Sequence, residues 1–357
     1  MVSVIVDTTS KVKVRATIDS RMVLLTSLEI LSDSRDVGFC GCSKPGPAAL
    51  TEFDIPYKSR FVKHFLMYKN DPIVKVFEQL VSNQNFYLDK WSNLMFHLTK
   101  PPELEVAVPL PKEFEQRFGD KENLQEFIHL LRNFAAATGF CSFFESHSDM
   151  FRKIEANTEE QLTRYGVIDA LENYYGIKQH SYTLLIEPLF RKWGGNGFRM
   201  ECHGGSYDAY AIIGSTGVKD GIPVVEGLSL VNTSIHEFSH HFVEPITESV
   251  KEKISDMAMG HKSTPIPEGY NTFYSVVIEN IIRAIEIRLV ASMTETDSVS
   301  REKFVIEELK QLEQRGFIFV TKINKKLEEY ESKRKEYHTF AEFYPLILKV
   351  FEDYNTT

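Results

Sequence analysis

His236-Glu237-Phe238-Ser239-His240 is an H-E-x-x-H stretch inside a segment whose apolar spacing predicts a helix over about 229–244. Residues four apart share a helix face, with Cβ atoms roughly 5–6 Å apart. Both imidazoles can then reach one zinc ion at about 2.0–2.1 Å. Glu237, beside the first imidazole, is placed to take a proton from a water that the metal activates. Ile235, Phe238 and Phe242 form a separate stripe at helical spacing, so one side faces a core while the histidines point elsewhere. Pro245 is expected to end the helix, because the residue before a proline avoids helical backbone.

A catalytic zinc needs a third protein ligand and an open position. The extended pattern H-E-x-x-H-x-x-G-x-x-H is not met, since Val243 stands at its glycine position and Ile246 at its third histidine. The third ligand is therefore expected from a second helix over about 270–291. That segment is rich in Val, Ile and Leu, yet Thr272, Ser275, Glu279, Arg283 and Glu286 run through it on one face. Charges on a buried helix are costly unless paired or bound to metal. Glu279 is the expected ligand and Glu286 the reserve. Arg283 would orient whichever carboxylate binds, or pair with the other. The competing reading is a buried Glu–Arg–Glu network with no metal. An oxyanion formed during acyl transfer needs a second electrophile besides zinc. Tyr270, Tyr274, His203 and His241 are the candidates. His241 points about 100° away from His240 on the helix and reads better as a structural histidine.

A glutamate ligand on a downstream helix is the arrangement of the gluzincin metallopeptidases, which include thermolysin. The chain resembles them at His236, Glu237, His240 and Glu279. It departs from the thermolysin pattern in the longer separation of His240 from Glu279. It departs again at Arg283, where an aspartate would stand four residues after the ligand. More of the chain is similar to a microbial family known only as a domain of unknown function. The similar stretches are IHEFSHHFVEP (235–245), ENIIRAIEIRL (279–289) and FVKHFLMYKNDPIVKVFEQL (61–80). The resemblance implies a zincin-like fold, a peptidase activity with Zn2+ as cofactor and a peptide or protein substrate. It also implies an edge strand that binds extended peptide through backbone hydrogen bonds, with 197–203 or 207–213 as candidates.

Composition bounds the alternatives. The chain has 357 residues, 43 % hydrophobic and 25 % charged, as ordinary globular proteins do. A net charge of −9 argues against a nucleic-acid partner, for which a basic patch is expected. No apolar run approaches the length of a membrane span. The first 19 residues alternate apolar and polar residues without the charged start and apolar core of a signal peptide. Four cysteines are too few for a disulfide scaffold. Cys40 and Cys42 read as free thiols in a loop, and Cys141 and Cys202, among apolar neighbours, as buried. A reducing, cytoplasmic setting is the expectation.

The predicted fold class is α+β, mainly helical. An accessory α/β region is expected over 1–110, starting with a hairpin of strands at 2–6 and 11–18 and a helix at 21–31. A zincin-like region is expected over 111–357. It contains a helix at 161–175, a small antiparallel or mixed sheet at about 181–214, the two helices above and charged helices over 300–354. The stretch 245–269 reads as a long connection. The functional readings are a zinc metallopeptidase, a zinc hydrolase of a non-peptide amide or ester, and a catalytically silent metal-binding protein. An intact Glu237 counts against the last, because a binding module has no use for a general base.

Overall fold

The computed structural model describes residues 14–33, 46–84, 86–190, 195–202, 206–260, 266–267, 270–294 and 297–352. A four-stranded mixed sheet is built from β1 (Arg15–Thr17), β2 (Ser181–Glu187), β3 (Gly195–Glu201) and β4 (Tyr207–Gly214), in the order β1-β2-β4-β3. β1 and β2 are parallel, β2 and β4 are parallel, and β3 runs antiparallel to β4. The strands at 181–214 are therefore not all antiparallel. Burial decides the order. β4 carries the buried Ala209, Ala211, Ile212 and Ile213 and takes an inner place. β3 opens with Gly195-Asn196-Gly197 and lies at the edge, where weak strand formers cost less. The expected strand at 2–6 lies outside the described residues, and the one at 11–18 appears as β1. A separate hairpin, β5 (Gly217–Lys219) with β6 (Ile222–Val224), turns at Asp220-Gly221, both at positive φ.

Helices cover the sheet. Before β2 come α1 (Ser20–Glu29), α2 (Pro56–Phe65), α3 (Pro72–Gln84), α4 (Leu88–Phe96), α5 (Lys112–Phe118), α6 (Lys121–Ala137), α7 (Phe140–Glu145), α8 (Ser148–Tyr165) and α9 (Val167–Tyr175). After β6 come α10 (Gly227–Glu248), α11 (Lys251–Gly260), α12 (Phe273–Thr294), α13 (Ser298–Gln314), α14 (Val320–Ser332) and α15 (Phe340–Glu352). α1 is buried on nearly every side rather than amphipathic, and Asp19 caps it by accepting from the Arg21 amide at 2.9 Å. The helix expected at 161–175 is two helices, because Gly166 at φ +66° turns the chain between α8 and α9. The stretch 245–269, expected as a connection, holds the end of α10 and all of α11. One continuous buried cluster includes Phe77 and Trp91 from the first part of the chain and Ile235, Ile281 and Phe351 from the later part. Among the described residues, no helix is long and apolar enough to cross a membrane.

Glu187, at the end of β2, is 1 % exposed. Its Oε2 has no hydrogen-bond partner among the described residues. Burial raises its carboxyl to about 7, against the opposing pull of hydrogen bonds from the Leu189 amide and Thr26. Unfolded, the same group titrates near 4.5. Between these values the folded chain holds a proton that the unfolded chain releases, so stability falls as pH rises through that window. The loss is on the order of 3 kcal/mol. Urea unfolding at pH 5 and pH 8 should show this drop in the parent and a much smaller one in Glu187→Gln. Identical pH slopes for both proteins would rule it out.

Candidate metal centre

α10 forms because Leu230, Val231, Ile235, Phe238 and Phe242 give it a continuous buried stripe. It lies against β3 and β4 on one side and α12 on the other. Pro245 does not stop it. The missing proline N–H leaves the His241 carbonyl without its helical donor, and Gln179 Nε2 donates to that carbonyl at 3.5 Å instead. α12 is apolar almost all round, with buried Val276, Ile278, Ile281, Ile282 and Ile285. Its polar face therefore has a single place to go, against the histidine face of α10.

That juxtaposition brings His236, His240 and Glu279 together. His236 Nε2 lies 3.6 Å from Glu279 Oε2, and His240 Nε2 lies 3.5 Å from Glu279 Oε1. These are long for hydrogen bonds. Bonds of about 2.0–2.1 Å at tetrahedral angles put neighbouring ligand atoms roughly 3.3–3.5 Å apart, close to the 3.5 and 3.6 Å seen, with each imidazole facing a different oxygen of Glu279. One ligand atom from each residue falls within 4.8 Å of the others, so the group can hold a metal ion. Tyr270 hydrogen-bonds the Glu279 carboxylate, but among the described residues its buried Oε2 has no hydrogen-bond partner within ordinary geometry, a cost that a cation at this point would remove.

The outer partners suit the same geometry. His236 Nδ1 is 2.9 Å from Glu286 Oε2, and His240 Nδ1 is 2.9 Å from Glu244 Oε1. A carboxylate on Nδ1 keeps the proton there and turns the Nε2 lone pair inward. Glu286, the reserve ligand, thus sits behind His236 and away from the point where the three ligand atoms meet. Arg283 bridges the two carboxylates, with Nε 3.7 Å from Glu279 and a terminal nitrogen 3.7 Å from Glu286. Burial works to raise the Glu279 carboxyl, but the two imidazoles and Arg283 outweigh it and hold it below the usual range. For His240 burial opposes the charge, yet Glu244, Glu279 and Glu237 win and lift it to about 9.

Glu237 is 7 % exposed, and burial raises its carboxyl against the lowering effect of His236 and His240. β3 passes very close to it. A Cβ on Gly195 would lie 2.3 Å from Glu237 Oε1, and one on Gly197 would lie 2.7 Å from the Glu237 carbonyl oxygen. Only glycine allows this approach. A cleft of about 980 Å³ opens over the centre, lined by Gly195, Asn196 and Gly197 on one side and by Ile287, Leu312 and Arg315 on the other.

Tyr270 lines the cleft beside Glu279 and Arg283, and burial keeps its hydroxyl protonated. Tyr274 does not line the cleft; its hydroxyl donates to Glu248 Oε2 at the end of α10, at 2.8 Å. His203 lies outside the described residues. His241 is structural: its Nε2 donates to the Tyr210 carbonyl at 2.9 Å, tying α10 to β4, and burial pushes its pKa down to about 4. Glu244, Gly195 and Gly197 were not anticipated from sequence. Glu244 stands four residues after His240, the same spacing that joins the two histidines. The close passage of β3 has no local signal beyond Gly-Asn-Gly.

No match was found among the curated proteins or among the solved structures. The chain belongs to the family described as Domain of unknown function (DUF4932), whose model matches residues 18–350.

Proposed function

We propose that the protein is a zinc-dependent hydrolase that cleaves peptide bonds. The observation that carries this reading is the meeting of His236 Nε2, His240 Nε2 and Glu279 at co-ligand spacing, next to a buried carboxylate that is not a ligand. Zinc held by these residues would supply Lewis acidity, which acidifies water and polarises a carbonyl. Glu237 accepts the proton of the attacking water and delivers it to the leaving amine, and its burial favours the protonated form between the two transfers. Glu244 and Glu286 hold the imidazoles in the tautomer that presents Nε2. Tyr270, protonated and at the cleft wall, can donate to the oxyanion.

The edge strand supports a peptide substrate. The Arg199 carbonyl points away from β4 and accepts from Asn93 Nδ2 of α4 at 3.4 Å. Gly197 and Gly195 share that alternation, so their backbone groups face the open edge where β3 lines the cleft. An extended chain can add there as a further strand. A mixed sheet whose edge strand runs along an H-E-x-x-H helix resembles the gluzincin arrangement implied by the sequence. The test is to incubate zinc-loaded protein with a diverse peptide mixture and read new termini by mass spectrometry. Chelator-sensitive cleavage is the expected result. No cleavage over several metals and pH values, with turnover of small esters or amides, would replace the peptide substrate with a non-peptide one. No turnover of either kind would leave a metal-binding protein.

A further inference from the structure

A second cluster of ligating side chains sits at the other end of β3. His180 precedes β2, Cys202 follows β3, and Asp208 lies near the start of β4. One ligand atom from each falls within 4.8 Å of the others. His180 Nδ1 is 2.8 Å from Asp208 Oδ1 and 3.7 Å from Cys202 Sγ. The thiol also touches both the carboxylate and the amide of Asp208. The sequence reading has Cys202 buried; the structure leaves it half-exposed, within reach of solvent ions.

Two chemistries use Cys, His and an acid, and the geometry separates them. A nucleophilic relay needs the thiol on one imidazole nitrogen and the carboxylate on the other. Here both partners meet Nδ1, and the His180 side chain is 61 % exposed. The thiol pKa is raised, by burial first and then by Asp208, which is the wrong direction for a nucleophile. Three different donors within 4.8 Å of one another, on an accessible edge of the sheet, suit an open metal site, which would replace the 2.8 Å hydrogen bond between His180 and Asp208.

The geometry points to a second divalent metal site held by His180 Nδ1, Cys202 Sγ and Asp208, with solvent in the remaining position. Its imidazole, thiolate and carboxylate donors select a borderline transition ion such as zinc or cobalt over magnesium or calcium. Binding releases the Cys202 thiol proton to solvent and moves the His180 proton from Nδ1 to Nε2, so the ion's two charges meet one thiolate and one carboxylate. Ser181 Oγ donates to Asp208 Oδ1 at 2.5 Å and orients that carboxylate. The ion would join the ends of three adjacent strands and fix β3, whose other end runs past Glu237. The two ends are about 20 Å apart along the strand. The second site uses none of the residues of the first, so the band tests it alone, while the count of two equivalents rests on the first centre binding metal as proposed.

Cobalt titration of the full chain tests it. Cobalt ligated by sulfur shows a thiolate-to-metal charge-transfer band in the near ultraviolet, and the first centre contains no thiolate. The expected result is two equivalents bound, one of them with the band. Cys202→Ser should lose the band and retain one equivalent, while His180→Ala should weaken the banded site by on the order of tenfold or more. A band that persists in Cys202→Ser would assign the thiolate to another cysteine and overturn the proposal. Absence of the band in the parent would overturn it as well. Circular dichroism of each variant checks that it is folded.

Discussion

Glu237→Gln is expected to lower kcat for peptide hydrolysis by about 10²–10⁴-fold while the protein retains its metal. The substitution keeps the shape of a side chain packed against Gly195, so it should not disturb β3. It removes only the ability to accept a proton. His236, His240 and Glu279 stay in place, so metal content by mass spectrometry should match that of the parent. KM should change little, because the role proposed for Glu237 is proton transfer and not binding at the edge strand. Hydrolysis by the Gln variant at the parent rate would sink this role. Loss of metal together with activity would make Glu237 part of the ligand set.

Glu279→Gln should weaken metal binding more than any change at Glu244 or Glu286. A carboxylate that lies against both Nε2 atoms would supply a direct bond to a metal, whereas Glu286 and Glu244 lie behind the imidazoles. Replacing either outer carboxylate with its amide is expected to cost roughly 10–100-fold in affinity. Glu279→Gln should exceed that range, because it removes the anionic donor from a three-ligand site. Competition against a chromophoric chelator gives the three values on one scale. If Glu286→Gln were the weakest binder, Glu286 would be the ligand and Glu279 its support. If all three bound equally to the parent, Glu279–Arg283–Glu286 would be a structural ion network.

The helical pattern of α10, the histidine pair and the adjacent glutamate were legible from sequence because each depends on spacing within one helix. The polar face of α12 was legible for the same reason. The difference between Glu279 and Glu286 was not. They stand seven residues apart on one face, and only the axial offset of α12 against α10 sets Glu279 opposite the Nε2 atoms and Glu286 opposite an Nδ1. The continuation of α10 through Pro245 was equally hidden, since the carbonyl that the proline leaves without a donor is met by Gln179 from a distant part of the chain.

Three further features had the same origin. Tyr270 and Tyr274 both stand near the start of α12, but the Tyr274 hydroxyl is drawn to Glu248. β2 and β4 are parallel because β3 folds outward to the edge. His180, Cys202 and Asp208 meet only because that outward fold brings three strand ends together. Sequence alone determined the helix carrying His236, Glu237 and His240, the polar face that opposes it, and a mixed class with a small sheet. Periodicity and local spacing specify such features, because they are interactions within one element. Tertiary structure decided which carboxylate faces the histidines, which strand borders the cleft and where the second cluster forms. Those outcomes depend on the offset between elements, which packing sets and a linear pattern does not record.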